Sequence, residues 1–174
     1  MKMAISSQRG LTIIEFTLIA WGLMVLMMFA FEIGRYMFSM QMLNEMTRKA
    51  ARLGVVCSIE DRLDIRDLSE VAENRPIEFE SQHLVLSYLD SSGNEVSVTG
   101  YEGMDDDSKT SIFGQIRYVK AEIDGYRFRF MPLLSFIGDS GLLDVPAFTT
   151  VLPVESLGVV RPNSGSEDGA NENC

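Results

Sequence analysis

Between Leu11 and Phe31 the chain reads LTIIEFTLIAWGLMVLMMFAF, a run in which Glu15 is the one ionisable side chain. As a helix rising about 1.5 Å per residue, this run covers the roughly 30 Å of a bilayer's hydrocarbon core. It predicts a membrane span over 11–31. A cleaved secretory signal competes for an apolar run that follows Lys2 and Arg9. The core of such a signal holds only about 7–15 apolar residues and ends at a small-residue cleavage site. Here the chain instead continues Glu32, Ile33, Gly34, Arg35, Tyr36.

The apolar pattern carries on past the membrane edge. Ile33, Tyr36, Met40, Leu43, Met46, Ala50 and Leu53 recur at steps of three and four, which is the spacing of one helical face. No proline precedes Pro76, so one continuous helix from Leu11 to about Val56 is expected. Its first part lies in lipid. The remainder, 32–57, projects beyond the membrane with its apolar stripe against protein and Arg48, Lys49 and Arg52 towards water. Seven of the eleven methionines fall between Met24 and Met46. Their flexible side chains suit a helix packed against several neighbours, and serve equally as lipid and core filler.

After Cys57 the composition changes from apolar to mixed. Leu63, Leu68 and Val71 predict a short helix over 61–72, closed by Asn74 and Pro76. Leu84, Leu86 and Tyr88 alternate with Val85, Ser87 and Leu89, and the turn residues 90–94 precede Val96 and Val98, which reads as a hairpin. From Ile116 to Phe130 the alternation changes parity at Asp124 and Gly125. Those two residues either bulge one long strand or turn a tight hairpin. A last extended piece, Ala147 to Val154, completes an antiparallel sheet. The whole is an α+β chain: a long N-terminal transmembrane helix, then a small domain with a three- to four-stranded antiparallel sheet whose apolar face lies on a helix. That domain spans 58–161, and 162–174 form an acidic tail too polar to pack.

Charge sharpens this division. Residues 1–57 hold six basic side chains (Lys2, Arg9, Arg35, Arg48, Lys49, Arg52) against three acidic ones (Glu15, Glu32, Glu45). With a total of −10, the first part is +3 and the rest −13. An acidic domain without clustered Lys and Arg is a poor match for phosphates, so nucleic acid is not an expected partner. Two cysteines without a CxxC and a single histidine, His83, give no zinc set, and no metal or other cofactor is expected. In an oxidising compartment Cys57 and Cys174 could pair, or serve as two separate thiols. The cluster Asp105, Asp106, Asp107, Ser108 has carboxylates that calcium would accept, but not the spacing of an EF-hand loop. It reads as a solvated acidic loop or a helix N-terminus. His83 opens a strand, the serines have no adjacent base, and there is no phosphate-cradling glycine loop, so enzyme activity is not expected.

Glu15 remains unexplained by membrane anchoring alone. A carboxylate in an apolar helix costs several kcal/mol unless it is protonated or paired, which marks it for function. Upstream stand Gln8, Arg9 and Gly10. A cut after Gly10 makes Leu11 a free amino terminus and Glu15 the fifth residue of the mature helix. Its own terminus is not easily reached in a regular helix. Among parallel helices staggered along their axes, Glu15 of one subunit would instead meet the terminus of the next and set the axial register.

A basic leader, a glycine, four mostly apolar residues, a glutamate and the aromatic Phe16 at the head of a long apolar helix resemble the processing site of type IV pilin precursors. More narrowly, RGLTIIEF followed by FEIGRYMFSMQMLNEMTRKAARLG resembles the TadE/TadF-like minor pilins, or pseudopilins, of the tight-adherence (Tad) pilus. The Gly34–Arg35 pair and Ala50, Ala51, Arg52, Leu53, Gly54 match that pattern, and the resemblance covers residues 8 to about 57. It implies a leader at 1–10, cleavage between Gly10 and Leu11 by a prepilin peptidase, and assembly through Glu15 and Phe16 with other pilin and pseudopilin subunits. It also favours the long-strand reading of 116–130. It places the N-terminus in the cytoplasm and the C-terminal domain in the periplasm of a bacterial inner membrane, or in a surface pilus. The positive-inside count, two basic residues before the span and four soon after it, leans the other way, although long domains translocate largely regardless of charge. A bitopic inner-membrane adaptor or receptor with an acidic binding domain is the alternative function.

Overall fold

The computed structural model describes residues 9–73 and 75–159; the leader as far as Gln8, the expected closing residue Asn74 and the acidic tail lie outside them. One helix, α1 (Arg9–Val56), runs 48 residues, about 72 Å at the standard rise. It is the expected continuous helix. Its environment changes along its length: Thr12–Ile19 are exposed throughout, whereas Leu43, Met46, Thr47, Ala50, Ala51 and Val55 are buried. The inward face differs from the apolar spacing at one end. Ile33 is 41% exposed, while Glu32 and Ser39 turn inwards. Glu32 lies four residues before Tyr36 and so shares its face, but a search for apolar positions passes over a glutamate.

Two short helical pieces follow α1. A 3₁₀ helix spans Glu60–Asp67 and α2 spans Ser69–Ala72, separated by the extended backbone of Leu68. A single α-helix was expected here. With three residues per turn, Ile65 falls on the same face as the buried Ile59, which precedes the 3₁₀ helix. Ile65 and, in α2, Val71 are buried, and Leu63 is left half exposed.

The main sheet has four antiparallel strands: β1 (Leu84–Leu89), β2 (Glu95–Val96), β3 (Tyr118–Ile123) and β6 (Thr149–Pro153), in the order β2-β1-β3-β6. β1 meets β3 from Leu84↔Ile123 to Leu89↔Tyr118, and β3 meets β6 from Tyr118↔Pro153 to Glu122↔Thr149. Period-two alternation sends Leu84, Leu86 and Tyr88 of β1 and Val119, Ala121 and Ile123 of β3 into the core. That core rests on the far half of α1. The Asp90 carboxylate accepts the backbone N–H groups of Ser92 (2.7 Å) and Asn94 (2.9 Å), which closes the β1–β2 hairpin.

The parity change at Asp124 and Gly125 is neither a bulge nor a hairpin. The Asp124 N–H donates to the His83 carbonyl (2.8 Å) at the end of β1, and Gly125 takes φ +70°, a conformation that costs glycine no Cβ clash. The chain thereby leaves the main sheet. It enters β4 (Arg127–Arg129), which pairs with β5 (Leu142–Asp144) as a separate two-stranded ladder. The acidic cluster starts a complete helix, α3 (Asp106–Gln115), with Asp105 as its N-cap accepting the Ser108 N–H (3.2 Å) and Oγ–H (2.8 Å).

Candidate functional site

Sequence reasoning marks residues at the head of α1, and the structure places them on one uninterrupted helix. Gly10 and Leu11 are both helical, and Glu15 and Phe16 project outwards, Phe16 being 73% exposed. The most apolar stretch of this helix has a mean hydropathy of 2.1 and none of it is buried by the rest of the chain. It is long and apolar enough to cross a membrane. Ile13–Ile19 are all exposed, so the Glu15 carboxylate is presented on the outside of the helix.

The helix changes character at Glu32. This carboxylate is buried, 1% exposed, and accepts a hydrogen bond from Arg35 Nη1 at 2.6 Å. Its other oxygen, Oε2, is buried and has no hydrogen-bond partner among the described residues. The Arg35 guanidinium lies over the Phe128 ring, 5.4 Å from its centroid, and Tyr36 meets the same ring edge-on at 5.3 Å. Phe128 belongs to β4, so the second ladder is clamped to α1 one turn beyond the expected end of the span. Sequence reasoning missed this contact, for β4 was read as a continuation of β3.

Farther along, the sheet comes down on α1 through small residues. The Thr150 hydroxyl reaches that of Thr47 at 3.2 Å. At Gly54 a Cβ would stand 2.8 Å from Leu86 Cδ2 and 2.9 Å from Val119 Cγ1. Gly34, by contrast, has open space where its side chain would be.

The sequence model of the TadE-like protein family matches residues 10–52. This segment is similar to TadE-like proteins. The match associates the chain with the Tad pilus, and comparison with curated proteins and with solved structures gave no match. The TadE-like segment opens on Gly10, contains Leu11, Glu15, Phe16, Gly34 and Arg35, and closes at Arg52, two residues before Gly54. It thus lies wholly within helix α1. The sheet domain lies beyond it.

The remaining expected sites fall away from this segment. Cys57, just past the helix, is buried and disulfide-bonded; Cys174 lies outside the described residues. His83 directly precedes β1, where its Nδ1 accepts the Glu80 N–H at 3.0 Å. Among the described residues no group of histidine, cysteine and carboxylate side chains is placed to hold a metal.

Proposed function

We propose that this chain is a minor pilin or pseudopilin of a Tad-type apparatus, cut after Gly10 by a prepilin peptidase and held in the inner membrane with its sheet domain on the periplasmic side. The observation that carries the reading is Glu15: one carboxylate on an exposed, apolar, TadE-like helix, five residues after Gly10. In hydrocarbon that anion needs a cation. Cleavage supplies one, the Leu11 ammonium of a neighbouring subunit, and no other basic side chain stands between Leu11 and Phe31. The pair fixes how far one helix is shifted along the next. The chain's own part is therefore structural: it is the substrate of the peptidase and a subunit that packs with other pilin helices.

Two variants test the reading. Gly10→Ala leaves uncut precursor, because the peptidase must approach the backbone where a side chain now stands. Glu15→Ala is still cut but is no longer recovered in complex with partner pilins. A Glu15→Ala chain that assembles as well as the native one refutes the register role. An adaptor or receptor that is merely anchored would tolerate both changes.

A further inference from the structure

On one side of α1 a cavity of about 490 Å³ opens between the helix, residues 75–78 and residues 126–131. Its apolar wall includes Phe31 and Phe38 of the helix, Ile77 of the turn, and Phe130 and Met131 beyond β4. Phe31 is the last residue of the apolar run, so this end of the cavity stands at the hydrocarbon edge. Phe38, seven residues on, lies about 10 Å higher, just past the headgroup layer of roughly 5–8 Å per leaflet. The turn and the ladder are fastened together beside it: the Tyr126 hydroxyl donates to the Ile77 carbonyl at 3.1 Å, and Arg129 Nε pairs with Glu78 at 3.1 Å. Even so, Ile77 is 74% exposed and Phe38 66% exposed. Exposed apolar side chains gathered on one face mark a surface that meets a membrane or a protein partner.

We infer that this face of the outer domain sits in the membrane, with phospholipid of the adjoining leaflet filling the cavity between Phe31, Ile77 and Phe130. The inference rests on α1 spanning the bilayer. Continuity decides the occupant: the cavity's lower wall is the end of the membrane helix itself, and lipid is present there before any protein partner arrives. The three guanidinium groups on the cavity wall are each matched by a carboxylate, Arg35 by Glu32, Arg75 by Asp67 and Arg129 by Glu78. No surplus positive charge faces the lipid, so the hold is apolar and independent of anionic headgroups.

The test uses the full chain in phosphatidylcholine vesicles, with Trp21→Phe removing the native tryptophan and Ile77→Trp adding a reporter on an already exposed site. Leu63→Trp, beyond the far end of α1 and half exposed, is the control. A lipid carrying a doxyl quencher at acyl carbon 5 should quench the tryptophan at position 77 at least threefold more than the one at 63, equally with and without anionic lipid. Phe130→Trp, on the domain wall of the same cavity, should give the same ordering, which covers the case in which one variant misfolds. Equal quenching at 77 and 63, or blue-shifted emission at 77 without quenching, would overturn the inference, the latter by placing a second copy of the chain on this face. Failure of the underlying membrane reading is seen separately: native Trp21 would then escape a doxyl group at carbon 12, and both conclusions would fall.

Discussion

Gly54 of the long helix and Leu86 of the first strand approach so closely that a single methyl group on Gly54 would stand 2.8 Å from Leu86 Cδ2. Val119 Cγ1 closes the same space from β3 at 2.9 Å, and all three residues are buried. Gly54→Ala must push the sheet off the helix or move both side chains. Overpacking of this kind costs about 1–3 kcal/mol, and the gain in helix propensity offsets at most about 1 kcal/mol of it. Gly34→Ala meets nothing and should leave the isolated chain unchanged or up to about 1 kcal/mol more stable. Thermal unfolding of the two variants in detergent checks the contrast; equal midpoints would contradict it.

The buried Glu32–Arg35 pair makes a prediction about coupling. Removing one partner strands the other charge against apolar surroundings, whereas replacing both removes the demand. Arg35→Met should cost about 2 kcal/mol, held down because the Arg35 side chain is a quarter exposed. Glu32→Leu combined with Arg35→Met should be less destabilised than Arg35→Met alone. Denaturant titration of the two single variants and the double variant measures this directly, and additive losses would show that the pair is not coupled.

Tyr88 sets an alkaline limit. Its ring is fully buried beneath the sheet and its hydroxyl has no hydrogen-bond partner among the described residues. Burial, the largest cause, pushes the phenol up to about 12. An acid whose folded value is raised contributes stability below its unfolded value, near 10, and loses that contribution as pH rises towards 12. Tyr88→Phe removes an unsatisfied hydroxyl, so it should leave neutral-pH stability equal or higher and flatten the decline between about pH 10 and 12. A steeper decline in the variant would contradict this reading.

Much of the fold was legible because apolar spacing reports which face is buried. The step of three and four through Leu43, Met46 and Ala50 foretold the continuous helix, and the alternation Leu84, Leu86, Tyr88 foretold the first strand. Spacing failed where the buried residue was polar, as at Glu32, or where the helical period itself changed, as at Ile65. It also failed at Gly125, since a change of parity reveals that the chain turns but not which ladder it joins next. Likewise Glu15 was visible as an isolated charge in an apolar run, while the clamp of Phe128 on Arg35 and Tyr36 depends on a contact between distant segments that no local pattern carries.

Cys57 offers a covalent test. It is buried at the end of the long helix and disulfide-bonded, and the sequence contains one other cysteine, Cys174. A non-reduced digest of the protein should yield a peptide pair joining Cys57 to Cys174. A free Cys57 thiol, or a Cys57-linked dimer, would contradict the intrachain pairing.

The most direct test of the proposed pilin role is the amino terminus of the chain as it occurs in membranes. Mass spectrometry of protein extracted from cells with a working prepilin peptidase should find Leu11 at the start, with Glu15 fifth. Finding Met1 or Lys2 there, in cells that process their other pilins, would contradict the claim that cleavage creates the counterion for Glu15.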